Sequence, residues 1–174
     1  MLLMLPRQAG SITLRQLAAA DLSAFQAYRH DAELGRYQGW SATSDHEAAA
    51  FIAQMDSASM LQPGVWSQIG IADTTNDELI GDIGLLLASD GQHAEIGFTL
   101  RRASHGRGYA RAAVREAIRL VFDVTRAQRV LAVTDARNAP SIRLLERIGM
   151  TRVSSETTIF RDEPCVEHTY AIAR

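Results

Sequence analysis

The chain has 174 residues, a formal net charge of -2 and 47% hydrophobic content. This length and composition suffice for one well-filled core and not for two, so we expect a single domain over residues 1–174. The small net charge gives no general attraction to nucleic acid, and no apolar run is long enough to span a bilayer; we expect neither as a partner. The single Cys165 excludes an internal disulfide and a thiolate metal site, so we expect a reducing cytoplasm and no metal.

Hydrophobic periodicity predicts a strand and two helices in the first third of the chain. Residues 12–17 indicate a strand, and Asp21 is a suitable cap for the helix that follows it. Ser44 and Glu47 have the spacing of a capping box in front of a second amphipathic helix, whose apolar positions run over residues 48–55.

The middle of the chain changes to short apolar runs separated by turn signals, over residues 68–72, 79–87 and 96–100. We interpret these runs as an antiparallel meander. Gly108 then opens the clearest helix, and the rest predicts a strand, a short helix and two strands, over residues 129–134, 140–147 and either side of 162–164. The order β, α, α, βββ, α, β, α, ββ indicates an α+β (mixed α/β) domain without a regular βαβ repeat.

A glycine loop precedes the clearest helix, in the run His-Gly-Arg-Gly-Tyr-Ala over residues 105–110. Free amides and the positive end of a helix dipole favour an anion there, and a pyrophosphate would suit such a loop. A tight turn without a ligand is the alternative interpretation. A P-loop would need a lysine, and the chain contains none. A dinucleotide-binding loop would need a small residue where Arg111 stands.

Three motifs together resemble those of GCN5-related N-acetyltransferases. His105, Gly108 and Ala110 stand at the conserved places of the Q/R-x-x-G-x-G/A acetyl-CoA signature, Ala94–Phe98 resembles the preceding A-E-I-G-Y strand, and residues 138–150 resemble the later N-x-x-S…G-F helix. His105 stands where the signature usually has Gln or Arg. A bulky residue at this place resembles the W-G-x-G-Y-A pattern of the RimJ/RimL branch.

The resemblance implies an acyl-CoA N-acyltransferase fold with acetyl-CoA as the acetyl donor. Its sheet is mostly antiparallel and twisted, is flanked by about four helices, and holds the cofactor where two parallel strands splay apart, here residues 95–100 and 129–134. The positions that would bind the cofactor are Phe98, Leu100, His105, Gly106, Arg107, Gly108, Tyr109, Ala110, Arg111 and Asn138. Asn138 is equally interpretable as an ordinary helix cap before Pro140.

The implied reaction requires a base, because an alkyl amine with a pKa of about 10.4 is almost fully protonated at neutral pH. Glu95 is the first candidate, since burial on a strand would raise its pKa toward the working range. A purely structural glutamate remains the alternative, and Asp82, Asp135 and His105 are weaker candidates for the base. Ser141 is the candidate donor to the departing thiolate, because many relatives carry a tyrosine where this chain has Leu145.

The resemblance also assigns an acceptor side to the first two helices and the loop between them. Glu33, Tyr37 and Trp40 lie there and could contact a cationic amine, although a solvated or core role for them is the alternative. The C-terminal hairpin would close the other side with Phe160, Glu167, His168 and Tyr170. The acceptor stays open between a protein N-terminus, another peptide amine and a small-molecule amine, and a homodimer also stays open. A CoA-binding module without turnover is the competing function.

Overall fold

A computed structural model of the chain describes residues 4–174 and contains one sheet of eight strands. The strands are β1 (Arg7–Ala9), β2 (Ile12–Arg15), β3 (Trp66–Asp73), β4 (Leu79–Leu87), β5 (His93–Leu100), β6 (Arg129–Asp135), β7 (Thr151–Phe160) and β8 (Glu163–Ala173). Their order across the sheet is β1-β2-β3-β4-β5-β6-β8-β7, and β5 with β6 is its parallel pair, while the other neighbours are antiparallel. The predicted mixed, mostly antiparallel sheet with one parallel pair is confirmed.

Five α-helices accompany the sheet. They are α1 (Leu22–Arg29), α2 (Ala32–Gly35), α3 (Asp45–Ser57), α4 (Tyr109–Val124) and α5 (Ala139–Arg147). Four of them match the prediction, whereas the single turn α2 and the short strand β1 carry too few residues for a periodic signal. Within residues 4–174, none of the helices combines the length and hydropathy that crossing a lipid bilayer requires.

The helix ends show which local signals act. Ser44 and Glu47 form the predicted capping box, with each side chain bonded to the other residue's amide. Asp21 occupies the predicted N-cap position of α1, but its carboxylate makes no capping hydrogen bond. It accepts from the Ala18 amide and pairs with the Arg15 guanidinium at 2.8 Å instead. The side chain stabilises the turn before the helix and leaves the helix itself without a side-chain cap.

Helices cover the two faces of the sheet separately. Helix α4 contributes the apolar face that includes Val114 and Leu120 to the main core, where it meets β2 and β5. Helices α1 and α3 pack on the opposite face over β3 and β4, around Phe25 and Ile52. We name these the α4 face and the α1 face of the sheet. Because side chains alternate along a strand, β5 presents Ala94 and Ile96 to the α4 face, and Glu95, Gly97 and Thr99 to the α1 face.

A charged network is buried between α1 and β4. The Asp82 side chain is 0% exposed and accepts hydrogen bonds from Tyr28 Oη, from Arg29 at 2.8 Å and from Gln68 Nε2 at 2.6 Å. The Arg29 guanidinium lies 4.5 Å from the centre of the Trp40 ring. Both charges are therefore paired and enclosed, which is the condition under which ions are tolerated in a core.

Replacing Asp82 with Asn is expected to lower the free energy of unfolding by about 3 kcal/mol, because the Arg29 charge would stay buried without its partner. Urea unfolding at neutral pH measures the change. Asp56→Asn is the matched control, since Asp56 is exposed on α3, and we expect less than about 0.5 kcal/mol for it. Equal effects of the two substitutions would contradict a stabilising role for the buried pair.

Candidate active site

The parallel strands β5 and β6 are paired over only three residues each. His93, Ala94 and Glu95 face Arg129, Val130 and Leu131, and no further partners follow in either strand. β5 continues to Leu100 paired with β4 alone, while β6 continues to Asp135 paired with β8 alone. The strands therefore part beyond Glu95, and a gap opens between two backbone edges inside the sheet. We name it the β5–β6 gap.

The backbone of β5 presents alternate residues to the gap. The Arg101 amide donates to the Ile80 carbonyl of β4, so the amides and carbonyls of Phe98 and Leu100 point the other way, toward the gap. Both carbonyls accept a hydrogen bond from a side chain. Gln38 Nε2 donates to the Phe98 oxygen at 3.2 Å, and His105 Nε2 donates to the Leu100 oxygen at 2.7 Å. The two amides remain free to bind a ligand in the gap.

The glycine loop lies at the carboxyl end of β5 and opens α4. Gly106 and Gly108 both have a φ of 76°, a left-handed conformation that favours glycine, and an added Cβ at either would meet open space. Within residues 4–174, none of the amides of residues 106–111 has an acceptor, and the Arg107 and Arg111 side chains form no ion pair. Six free amides at a helix N-terminus can bind an anion.

Glu95 lies at the last paired position of β5, where the gap begins, with its side chain on the half-buried α1 face. Burial raises the pKa of the Glu95 carboxyl above its ordinary value; the nearby His93 acts in the opposite direction, and the charge of Glu167 adds to the rise. A carboxylate with a raised pKa, bordering the gap, is chemically suited to take a proton from a bound group.

The first turn of α5 brings two further predicted residues to the carboxyl end of β6. Asn138 is the cap of this helix, and its side-chain oxygen accepts from the Ser141 amide at 3.4 Å. The helix-cap interpretation of Asn138 is thus confirmed, and its amide nitrogen keeps two protons for other partners. Ser141 is partly exposed, whereas Leu145 is fully buried in the main core.

The weaker base candidates are engaged elsewhere. Asp82 is enclosed in the network with Tyr28 and Arg29. The Arg137 guanidinium binds both oxygens of Asp135 and lowers the pKa of that carboxyl. His105 fastens the glycine loop to the end of β5. Asp82 and Asp135 are thus paired with arginines, and His105 uses its Nε2 for the loop contact.

The α2–α3 segment (residues 36–44) forms a wall on the α1 face beside β5. Trp40 Nε1 donates to Thr99 Oγ1 of β5 at 3.2 Å, and the Tyr37 ring lies 5.5 Å from the Arg137 guanidinium. Both aromatic residues are partly exposed. Glu33 is highly exposed and bonded to Arg102 at 2.5 Å. The structure thus brings Tyr37 and Trp40 to the site, and gives Glu33 a different partner.

The β7–β8 hairpin borders the other side of the gap. In β8, Glu167 pairs with Asp135 and shares the α1 face with Glu95, whereas His168 and Tyr170 alternate to the α4 face. Tyr170 is buried there and donates to Glu146 of α5 at 3.3 Å. The expectation that His168 and Tyr170 close the acceptor side is therefore wrong, because the register of β8 places them behind the sheet.

The hairpin tip also holds the α2–α3 segment. Arg161 donates to the Gln38 carbonyl at 3.0 Å and to the Trp40 carbonyl at 2.8 Å. Together with the bonds from Gln38 and Trp40 to β5, these contacts join the two sides of the gap above the α1 face. Sequence reasoning missed Gln38 and Arg161, since contacts across more than 120 residues leave no local signal.

Comparison with known proteins identifies this arrangement. The family model described as "Acetyltransferase (GNAT) domain" matches residues 11–151. The chain belongs to the GNAT acetyltransferase family. A curated relative, the "Uncharacterized N-acetyltransferase p20" of Bacillus licheniformis, is 29% identical over 142 residues, which cover 81% of this chain and 79% of the relative.

Solved structures share the fold of this GNAT acetyltransferase. A GNAT-family acetyltransferase from Bacillus anthracis superposes with a TM-score of 0.86 at 21% identity, covering 97% of this chain and 98% of the other. RimL, a ribosomal L7/L12 alpha-N-protein acetyltransferase in complex with coenzyme A, gives a TM-score of 0.79 at 15% identity, with 95% of each chain covered.

These findings confirm the family, the fold and the reaction class predicted from the sequence. The chain is an N-acetyltransferase that uses acetyl-CoA as its acetyl donor and an amine as its acceptor. The likeness to RimL, at its low identity, shows the fold alone.

Arg161→Ala is expected to loosen the α2–α3 segment of the GNAT acetyltransferase, because two hydrogen bonds worth about 1 kcal/mol each are lost. Hydrogen–deuterium exchange should show the amides of residues 36–44 exchanging about tenfold faster. Arg152→Ala is the matched control, since this arginine lies on the same hairpin and contacts His168 behind the sheet. Unchanged exchange in the Arg161 variant would contradict the contact.

Proposed function

We propose that the β5–β6 gap is the acetyl-CoA site and that Glu95 is the base that prepares the acceptor amine. One observation carries this proposal: the strands part at Glu95, and free amides lie at the far end of the same gap. A pantetheine arm is extended and carries amide groups, so it can pair with the open backbone of Phe98 and Leu100 as an added strand would. The loop over residues 105–111 would then hold the pyrophosphate.

The cofactor fits this loop because there is open space beside the backbone at its two glycines. Glycine at 106 and 108 lets a phosphate approach the main chain, and the helix dipole of α4 favours its charge. Arg107 and Arg111 lie beside the free amides, where guanidinium groups suit phosphate oxygens. His105 acts differently from the phosphate-binding group that the motif implies: its ring fixes the loop to Leu100.

Bound acetyl-CoA supplies a thioester carbonyl whose carbon the amine nitrogen attacks, with release of the CoA thiol. The Glu95 carboxylate takes a proton from the incoming ammonium, directly or through a water molecule, and thereby frees the nitrogen lone pair. A gap-facing amide such as that of Phe98 would donate to the carbonyl oxygen as negative charge develops on it. The Ser141 hydroxyl at the start of α5 would donate to the departing sulfur, and the Asn138 side-chain amide would orient the arm.

The acceptor enters on the α1 face, where two carboxylates lie. Within residues 4–174, Glu95 and Glu167 have no salt bridge, although His93 lies near Glu95, while Asp135 is balanced by Arg137. Two carboxylates beside an aromatic wall favour a positively charged amine. We therefore place the acceptor among protein N-termini and small-molecule amines that are cationic at neutral pH. A cytoplasmic location and a homodimer remain predictions.

Gly108→Val is expected to weaken CoA binding at least about tenfold, or ~1.4 kcal/mol, because a branched side chain would occupy the phosphate position. Calorimetry with CoA measures the change. Gly91→Val is the matched control: Gly91 has a similar φ of 70° and also meets open space, but lies in the β4–β5 turn. The Gly91 variant forces valine into the same unfavourable left-handed backbone conformation, and it should keep its CoA affinity. Equal losses in both variants would reject the loop as the phosphate site.

Glu95→Gln is expected to lower kcat by about 10²–10⁴-fold while CoA affinity stays unchanged. Because the Glu95 pKa is raised, the wild-type rate should increase with pH through a midpoint above that of an ordinary glutamate, and this limb should vanish in the variant. Thiol release on an amine panel measures both.

Glu163→Gln serves as the control for this substitution, since Glu163 is an exposed glutamate of β8. It should leave both the rate and the pH limb in place. Full activity of the Glu95 variant would remove Glu95 from the mechanism. CoA binding by the wild-type chain with no thiol release on any amine would indicate the binding module instead.

A further inference from the structure

One glycine on the α1 face has no role in the fold. Strands β4 and β5 contain three glycines, and two of them have close neighbours on the side where a side chain would lie. An added Cβ would lie 2.2 Å from the Thr99 carbonyl oxygen at Gly81, and 3.0 Å from the Gln68 side-chain oxygen at Gly84. At Gly97 an added Cβ would meet nothing within 4 Å. The packing of the sheet thus excludes a side chain at Gly81, crowds one at Gly84 and leaves Gly97 open.

The backbone gives no reason for this glycine either. The φ of Gly97 is outside the left-handed region, so any residue could adopt its conformation. Glycine weakens the interior of a strand, because it adds backbone freedom and contributes no side chain to packing. A glycine that neither packing nor conformation demands marks a place where something outside the chain approaches the backbone closely.

The space over Gly97 is bounded by the groups of the candidate active site. Along β5, Glu95 and Thr99 flank this space on the same face, and the Thr99 hydroxyl accepts a hydrogen bond from the Trp40 side chain. On the neighbouring strand β4, Gly97 is paired with Gly84. The Trp66 ring covers Gly84, since it lies 3.3 Å from the position that a Cβ of residue 84 would occupy. Trp66 is 46% exposed, so an apolar ring surface faces solvent beside the open position.

We infer that Gly97 is a specificity-determining residue that leaves room for the carbon atoms next to the attacking nitrogen of the acceptor. This inference rests on the proposed role of Glu95, since it places those atoms within the same site. The open strip of backbone lies between the Glu95 carboxylate and the Trp66 indole ring. It suits a primary amine with little bulk on its first carbon, whose chain packs beside Trp66.

Gly97→Ala and Gly97→Val test the inference with the full chain. The probes are propylamine, isopropylamine, spermidine and hexapeptides that begin with Gly or Val, with thiol release as the readout. For each amine that the wild-type chain acetylates, kcat/KM should fall at least about tenfold with alanine and further with valine, mainly through KM. The loss should be larger for isopropylamine and the Val peptide than for their unbranched counterparts.

Two measurements separate this effect from damage to the fold. The melting temperature should stay the same or rise in both variants, and the dissociation constant for CoA should stay within about twofold of the wild-type value. A parallel loss of CoA affinity or of melting temperature would overturn the inference, because Gly97 would then be structural.

The remaining outcomes distinguish the inference from the proposed function. Equal kcat/KM in the wild-type chain and both variants overturns the role of Gly97 and leaves the proposed function standing. A wild-type chain that releases no thiol with any of these amines overturns both.

Discussion

The structure of this protein depends on the parting of two neighbouring strands that remain in one sheet. Beyond Glu95, each strand keeps a single partner, β4 for β5 and β8 for β6. Backbone groups along both edges of the gap must then find other partners, since unpaired amides and carbonyls are costly inside a protein. Gln38 and His105 satisfy two of the carbonyls. The remaining groups define an extended slot that an amide-containing ligand can complete.

The charges around this slot are divided between its two ends. Free amides, the α4 dipole and the side chains of Arg107 and Arg111 make the carboxyl end positive, although the chain as a whole has a net charge of -2. Glu95 and Glu167 make the α1 face negative. Under the proposed function, a phosphate-bearing donor and a cationic acceptor would be attracted to different openings of the same site, and neither would have to displace the other.

Local sequence could predict the parts of this site that depend on neighbouring residues. The capping box of α3, the apolar face of α4 and the glycine loop each arise within a few residues, and each was found from spacing alone. The Asp21 side chain does not bond to the first turn of α1, because Arg15 of the preceding strand binds its carboxylate. The sequence also could not predict which β8 side chains lie on which face of the sheet, since a shift of one residue in register moves every side chain to the other face. The proposed role of Glu95 comes from the family resemblance, since periodicity carries no information about a proton acceptor.

The buried pair of Asp82 and Arg29 explains how the aromatic wall is held against β5. A buried ion pair adds little net stability compared with apolar packing of the same volume, so its effect here is better sought in orientation. Arg29 lies against the Trp40 ring, and Asp82 is the register partner of Thr99, which accepts the Trp40 hydrogen bond. The charge pair thus lies directly beneath both the ring and its hydrogen-bond acceptor. These two contacts set the position of the Trp40 ring against β5 from both sides, because the guanidinium stacks on the ring and Thr99 accepts from its nitrogen.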